Sequence, residues 1–414
     1  MARGLSIPIA ICTAFTLFTA CASESGSPGH SFRISEEDGI TIAQTTGGPK
    51  YEEELFEYEK ILELQEDPDR PESMLFRPGT VQLGDDGCYY VLDGGDCRIV
   101  VFDTEGQYLR SFGRKGDGPG EFRGMSLLRF AGEVMTISDY SLRRTTCVRT
   151  DGTLLDTYRA PGTSSSASSV ERLDDGRFVL TPSINWDEEP DDPVFDHMAD
   201  RIMIIDVEGD TLCDLQTPFV PWAYEYHMGS ARGAHRMEFV GNPELQFFPG
   251  RGILMSTGVE PELTWFNISG AITERIVLDL EPVPITPEER EQIRLDAHER
   301  YERSKEQMPD HARAVLNALQ IPDQKAFWEN VYLDDAGFYW LRLPERMTVG
   351  QPLGKPLLIV LSPEGEYLGQ SRWPISFSTF RNGLLMGQVV DQETGAVIPT
   401  IYRIRPAVPG LRYP

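Results

Sequence analysis

The sequence has few positive charges. Its 414 residues include 38 Lys and Arg against 65 Asp and Glu, which gives a formal net charge of −27. Such a surface repels the phosphates of nucleic acids and of anionic lipids, which argues against DNA or RNA as partners. An acidic surface also keeps an exported protein soluble, and we expect it to serve that purpose here.

Residue patterns typical of catalytic and metal centres are also missing. Gly-x-Ser-x-Gly does not occur. Zinc needs three converging ligands, and none of the six histidines lies on a predicted first strand lining the channel. The glycine-rich stretch 114–120 is not followed by a helix or by Gly-Lys-Ser/Thr, so it predicts a connecting loop rather than a phosphate cradle. We therefore expect no cofactor. The acidic segment 187–196 offers oxygen ligands for Ca²⁺, so a calcium site is the alternative. The segment lacks EF-hand spacing, however, and is better explained as a solvated loop.

The N-terminal apolar run is too short to remain in a membrane as a helix. Arg3 precedes it, residues 7–18 form it, and the sequence LFTAC ends it at Cys21. This pattern resembles the bacterial lipobox and predicts a signal peptide over residues 1–20 with lipidation of Cys21; an ordinary secretory signal is the alternative. We expect a protein of the bacterial cell envelope, anchored to the membrane by lipid and facing the periplasm or the exterior.

Cysteines are scarce in the part that would remain after export. Cys12 lies in the signal peptide, which leaves Cys88, Cys97, Cys147 and Cys213 besides the lipid site. Three disulfide pairings are conceivable in an oxidising compartment, and buried free thiols remain open as well.

Two classes of short turn recur through the chain and predict antiparallel β structure. Seven of the eleven turns are of Asp-Gly, Asn-Gly or Glu-Gly type, which is favoured hairpin chemistry. The first class includes six glycines: Gly87, Gly132, Gly176, Gly250, Gly337 and Gly383. The second class includes five: Gly106, Gly152, Gly209, Gly270 and Gly365. The pattern predicts six four-stranded units, of which the last lacks its fourth strand.

A spare strand at the other end of the chain supplies what the last unit lacks. Residues 55–64 have β character, and pairing them with the last unit would remove an open edge. The predicted fold is all-β: a six-bladed β-propeller over residues 51–414, closed by an N-terminal strand. Residues 21–50 are expected to form a tether and an N-terminal hairpin.

Blade one carries a family resemblance. The sequence RIVVFD from Arg98, the turn at Gly106 and the sequence GDGPGEF ending at Phe122 resemble NHL-type repeats. They look most like those of bacterial six-bladed β-propeller lipoproteins with a Gly-Pro-Gly-Glu-Phe link after the first blade. The resemblance implies the propeller fold, but the NHL group includes binding modules, lyases and lactonase-like hydrolases, so the fold fixes no activity.

All the long insertions fall on one rim of the predicted ring. This rim carries the links between strands two and three and the links between blades, and we call it the loop rim. The insertions are residues 185–200, 218–242, 286–320 and 343–355. Thr286, Pro287 and the acids that follow predict a helix start, with Ile293, Ala297, Tyr301 and Ser304 as a thin stripe. A second helix is expected over residues 309–319, so that 286–320 is a helical insertion between blades four and five. This insertion would either pack over one edge of the rim or form a lid over the central channel.

The insertion 218–242 supplies the candidate binding residues. Its aromatic and hydrogen-bonding side chains are typical of a mouth that recognises a small molecule, a glycan or a protein, although a self-packed loop is the alternative. The candidates are Trp222, Tyr224, Tyr226, His227, His235 and Arg236. A second feature, Asp93 with Arg98 and Asp139 with Arg143 in the next blade, predicts a structural clamp rather than a ligand contact.

Two functions from different classes remain. The first is a monomeric binding or scaffolding module that uses the loop rim and needs no catalytic residue. The second is a lactonase-like hydrolase or lyase with a divalent cation in the central channel. That alternative requires oxygen ligands from several inner strands, for which the candidates are Gln82, Glu171, Glu244 and Asn330.

Overall fold

The chain folds as a six-bladed β-propeller. The structure is a computed structural model, and it describes residues 29–67, 69–159, 167–173, 175–182, 200–218, 223–229, 231–345, 355–375, 378–391 and 393–413. Strands β1 to β3 precede the first blade and are Ser31–Glu37, Ile40–Thr46 and Phe56–Glu63. A single 3-10 turn, Pro71–Ser73, leads into that blade.

The first three blades are antiparallel sheets whose strands follow one another in chain order. Blade one comprises β4 (Pro78–Leu83), β5 (Tyr89–Asp93), β6 (Arg98–Phe102) and β7 (Tyr108–Phe112). Blade two comprises β8 (Met125–Ala131), β9 (Val134–Asp139), β10 (Arg144–Arg149) and β11 (Leu154–Tyr158). Blade three comprises β12 (Ala167–Arg172), β13 (Phe178–Pro182), β14 (Arg201–Ile205) and β15 (Thr211–Gln216).

Insertions separate the later blades. A two-stranded hairpin, β16 (Ala223–Met228) and β17 (Ala231–Arg236), precedes blade four, which is β18 (Glu244–Phe248), β19 (Gly252–Ser256), β20 (Glu262–Phe266) and β21 (Ile272–Leu278). Two helices follow, α1 (Pro287–Ser304) and α2 (Pro309–Asn317). Blade five is β22 (Asn330–Leu333), β23 (Tyr339–Arg342), β24 (Leu357–Leu361) and β25 (Tyr367–Arg372). Blade six is β26 (Ser378–Arg381), β27 (Leu384–Val390), β28 (Val397–Pro406) and β3.

Strand β3 closes the ring, as the sequence predicts. It pairs antiparallel with β28, with Tyr58 opposite Ile404, and so supplies the fourth strand of the last blade. The preceding residues extend further along the ring than expected. Strand β2 adds in parallel to the outer strand of blade four, and the amides of Lys50 and Leu55 donate to carbonyls of β25 in blade five. Residues 40–63 therefore form a belt along the outer edges of three consecutive blades.

The predicted turn glycines adopt the conformation that their positions require. All eleven have a positive φ, from 61° at Gly132 to 94° at Gly209, which a side chain would strain. The turn between strands three and four repeats one further device in several blades. The Oδ1 atoms of Asp103, Asp206 and Asn267 each accept two backbone amides of their own turn. The rim opposite the loop rim is therefore built from short, locally determined turns.

The hydrophobic core lies between neighbouring blades rather than within any one of them. Val81, Val91 and Phe102 of blade one pack with Met386 and Ile401 of blade six. Comparable clusters join blades one and two, three and four, four and five, and five and six. A blade buries both of its faces only when it has two neighbours, so closure of the ring completes the core.

The predicted Asp–Arg clamp is present, with one correction. Asp93 accepts the amides of Phe76 and Arg77 and pairs with Arg98 at 3.2 Å. In blade two the strand register places Arg144, not Arg143, opposite Asp139. Both arginines, Arg98 and Arg144, donate to carbonyls of the link that precedes their blade, so the clamp ties each link to the turn between strands two and three.

Cys88, Cys97, Cys147 and Cys213, which are the cysteines among the described residues, carry no disulfide. Burial raises the pKa of the Cys97 and Cys213 thiols, because the thiolate would lose its hydration. Within the described part of the chain, no helix combines the length and the apolar character that crossing a membrane would need.

The closing belt predicts which N-terminal truncation the protein tolerates. A chain that starts at Gly29 keeps β1 to β3 and should be soluble and melt cooperatively. A chain that starts at Gln65 lacks all three strands and leaves blade six with an open edge, so we expect aggregation. Size-exclusion chromatography and thermal melts of the two chains measure this. A soluble, cooperatively melting chain from Gln65 would disprove the closing role of the belt.

Candidate functional site

Two insertions meet over the loop rim between blades four and five. One is the β16–β17 hairpin and the other is the α1–α2 pair, which pack on each other; together, as residues 223–240 and 285–321, we call them the cap. The sequence predicts a loop over residues 218–242, whereas Ala223–Met228 and Ala231–Arg236 pair as a regular hairpin with Tyr224 opposite His235.

Helix α1 begins where the sequence predicts. The side chain of Thr286 accepts the amide of Glu289 at 3.2 Å, and the Glu289 carboxylate accepts the amide of Thr286 at 3.0 Å. This reciprocal capping box satisfies two backbone donors, and Pro287 is preorganised for the first turn. Lys325 also donates to Glu289 at 2.6 Å, which fixes the start of the helix to the segment that enters blade five.

Apolar side chains hold the cap together. Tyr224 is 2% exposed and packs with Met237 and Val240 against Val315 and Leu319 of the α2 region. A second cluster joins Phe239 to Ile285 and Ile293 at the start of α1. Ile293 is thus the buried member of the predicted stripe.

The cap contains a half-open cavity of about 300 Å³. Tyr224 and His235 of the hairpin line it together with residues of the two helices. The helical part includes Ala297, Arg300, Tyr301, Arg303, Ser304, Met308, His311, Ala312, Val315 and Leu316. Three members of the predicted stripe, Ala297, Tyr301 and Ser304, therefore face this cavity. Its volume lies at the lower end of the roughly 300–1,000 Å³ typical of small-molecule pockets.

The predicted binding residues have different environments. Tyr224 and His235 line the cavity, and the Tyr226 hydroxyl lies 3.0 Å from Nε2 of His311, another lining residue. His227 is exposed and lies 3.4 Å from Glu225. Arg236 lies below the cavity in an internal polar cluster. Trp222 lies outside the described residues, as do Trp186 and the acidic segment 187–196. The part that each plays in ligand binding stays a prediction.

The polar cluster below the cavity ties the cap to the rim of blade five. Arg236 donates to Oδ1 of Asn242 at 2.6 Å and to the carboxylate of Glu329 at 3.3 Å. Arg342, at the end of β23, reaches the other oxygen of Glu329 at 2.8 Å. Burial raises the pKa of Glu329, and the two guanidinium groups oppose that rise. A second pair, Arg300 with the buried Glu238 at 3.2 Å, joins α1 to the segment after the hairpin.

A half-buried acid lies at the loop-rim end of the first strand of blade four, at the mouth of the central channel. Glu244 begins β18, and its carboxylate accepts hydrogen bonds from Asn330 and, at 2.6 Å, from Nε2 of Gln246. Burial raises the pKa of Glu244 to about 7; these hydrogen bonds oppose the rise, and the nearby Asp200 adds to it. At neutral pH this carboxyl therefore exchanges a proton readily, which is a property of general acids and bases.

Of the residues considered for a channel cation, Glu244 of blade four accepts a hydrogen bond from Asn330 of blade five. Glu171 of blade three instead pairs with Arg129 of blade two at 2.6 Å. Among the described residues, no three His, Cys, Asp or Glu side chains are grouped closely enough to hold a metal ion.

Sequence reasoning missed Arg300, Met308 and His311 as cavity residues. Arg300 and His311 lie on helices for which the sequence indicates only an apolar stripe. Arg300 contacts Glu238, 62 residues away in the chain, and His311 contacts Tyr226, 85 residues away. The available signal was the helix register: Arg300 lies three residues after Ala297 and one turn before Ser304, on the face that the stripe defines.

The fold makes this protein a six-bladed β-propeller with a helical and β-hairpin cap. In agreement with that class, the family DUF5128, described as a 6-bladed beta-propeller, matches residues 70–130, which cover blade one and the first strand of blade two. No curated protein matches the chain.

Several solved structures match this chain at low identity. A protein of Bacteroides fragilis provisionally described as exported is 12% identical, with 84% of this chain and 95% of that chain covered and a TM-score of 0.48. A DUF4221 family member from Bacteroides vulgatus is 12% identical, with 85% and 99% covered and a TM-score of 0.49. A catalytically inactive virginiamycin B lyase of Staphylococcus aureus, solved with quinupristin, is 10% identical, with 79% and 94% covered and a TM-score of 0.38. Similarities of this size say nothing about function.

The raised pKa of Glu244 predicts a pH-dependent stability. Between pH 4.5 and about 7 the folded protein holds a proton that the unfolded chain has lost. The stabilisation from this group is therefore full below pH 4.5 and disappears as the pH rises through about 7. Relative to Glu244→Gln, the wild type should lose about 2 kcal/mol of unfolding free energy between pH 5 and pH 8. Denaturant unfolding at both pH values measures the difference.

Glu59→Gln is the control for this experiment. Arg405 lowers the pKa of the exposed Glu59, so its contribution to stability is complete above pH 4.5 and is lost only in acid. The difference between the wild type and this variant should therefore stay constant from pH 5 to pH 8. If the difference in unfolding free energy between the wild type and Glu244→Gln is also constant from pH 5 to pH 8, the raised pKa of Glu244 is contradicted.

Proposed function

We propose that the protein is a binding module of the bacterial cell envelope, held to a membrane by lipid on Cys21, that takes a small ligand in the cavity of its cap. The ring supplies a rigid support, and the cap places aromatic and basic side chains around a space of ligand size. The cavity is the observation that carries this proposal, because two insertions on the loop rim pack together to form it.

The sequence supports export and anchoring. Arg3, the apolar residues 7–18 and the LFTAC sequence that ends at Cys21 have the order of a lipoprotein signal. The described chain begins at Gly29, and His30 already lies 3.1 Å from Glu366, at the start of the outer strand of blade five. Seven residues separate Cys21 from Gly29, and the eight Cα–Cα steps between them span at most about 28 Å, so the ring would be held close to the membrane.

Filling the cavity tests the binding site. Ala297 lines the cavity from α1, and Ala297→Phe would occupy much of the space. The measurement is ligand-observed NMR with a set of small aromatic and aliphatic fragments. We expect fragments that bind the wild type to be lost in Ala297→Phe, since the aromatic ring takes their place.

The control makes the same substitution elsewhere. Ala271 is exposed in the turn before β21, on the opposite rim, so Ala271→Phe should keep every fragment that binds. Thermal melts of both variants confirm that they are folded. Fragments that bind equally to wild type and Ala297→Phe would contradict the cavity as the binding site.

Replacing Cys21 tests the anchor. Cys21→Ser should abolish incorporation of labelled palmitate and release the protein from the membrane fraction, because stable attachment needs acyl chains. Cys147→Ser is the matched control, since this half-buried free cysteine lies in β10, far along the chain from the signal. It should retain both the label and the membrane fraction. Membrane attachment of Cys21→Ser that equals the wild type would show that no lipid is carried there.

A further inference from the structure

The residues that line the cap cavity differ in charge type from the chain as a whole. The protein carries 65 acidic against 38 basic residues, yet the cavity is lined by two arginines, two histidines and no Asp or Glu. The other lining residues are apolar or aromatic, apart from Ser304. A local basic site on an acidic protein concentrates anions where the rest of the surface repels them.

The basic groups approach the cavity from every element that forms it. Arg300 and Arg303 extend from α1, His311 from α2 and His235 from the hairpin. Arg300 is bound to the buried Glu238, which keeps the guanidinium in place and neutralises part of its charge. The Arg303 side chain is 54% exposed and pairs with the equally exposed Glu299 at 2.5 Å. A solvent-exposed ion pair of this kind contributes little, so Arg303 can exchange Glu299 for a bound carboxylate.

The pKa of His235 depends on burial and on the charges around the cavity. Burial lowers this pKa most, the positive charges of Arg300 and His311 lower it further, and Glu238 opposes the effect. The ring of Tyr224 covers it, with the two ring centres 5.3 Å apart. His235 is therefore neutral near pH 7 in the empty cavity, and an anion bound beside it would favour its protonated form.

We propose that the cap cavity binds a small monocarboxylate with an apolar tail, the tail among Ala297, Ala312 and Leu316 and the carboxylate against Arg303 and His235. This rests on the proposed function and adds the chemical class of the ligand. The cavity volume limits the tail to a short chain or a single ring. The basic lining selects an anion over neutral and cationic molecules of the same length.

Three probes of one length test the charge. They are octanoate, 1-octanol and octylammonium, titrated into the mature protein by isothermal calorimetry. Octanoate should bind at least about tenfold more tightly than octanol, because a charge-assisted hydrogen bond adds to the same apolar contact. Octylammonium should not bind. Octanoate should also raise the pKa of His235, followed by NMR of its ring protons, and bind more tightly at pH 5.5 than at pH 8.

Two arginine variants locate the effect. Arg303→Gln should weaken octanoate about tenfold and leave octanol unchanged. Arg313→Gln is the matched control, since Arg313 is exposed on α2 and does not line the cavity, and it should change neither affinity. Ala297→Phe should abolish octanoate binding.

The outcomes separate this proposal from the one on which it rests. If octanol binds as tightly as octanoate and Ala297→Phe abolishes both, the anionic class is wrong and the binding cavity stands. If octanoate binds but neither Arg303→Gln nor Ala297→Phe weakens it, the ligand is held elsewhere and this proposal fails. If no probe binds, this ligand class is overturned, and the fragment measurement decides on the cavity independently.

Discussion

Closure of the ring is the constraint on which the rest of this structure depends. Each blade is a twisted sheet with two apolar faces, and each face finds its partner on the neighbouring blade. The sixth blade receives only three strands from the C-terminal part of the chain, so its fourth must come from the N-terminus. Pairing of β3 with β28 joins the two ends and turns a row of sheets into a ring. Such a ring has no unpaired end blade at which packing stops.

The same constraint decides where the molecule can vary. On one rim the turns are two to five residues long and are fixed by their own Asp, Asn and Gly residues. On the other rim the links cross between strands and blades, and added length there leaves the pairing of the strands intact. The β16–β17 hairpin and the α1–α2 pair are such additions. They pack on each other, which gives the protein a small second core outside the ring.

Local signals made the fold predictable from the sequence, and long-range contacts limited prediction of the site. Gly106 and Gly250 mark turns through their own backbone preference, and Thr286 with Glu289 marks a helix start through contacts three residues apart. The parallel pairing of β2 with β21 joins segments more than 200 residues apart, and no turn specifies it. The sequence does not predict the β16–β17 hairpin because its second strand, ARGAHR, has small and basic residues in place of the usual β-branched ones.

The seam between blades four and five shows why the cap docks in one orientation. Deep in the seam Trp265, Trp328 and Tyr339 are almost fully buried, and such contacts favour association without fixing direction. At the loop rim the seam becomes polar, and Glu329 is shared by Arg342 of the ring and Arg236 of the hairpin. A buried carboxylate is costly to leave without its partners. If the hairpin docked in another orientation, Glu329 and Arg236 would lose their ion pair. The apolar clusters thus hold the cap together, and the charged pairs fix its position relative to the channel mouth, next to Glu244.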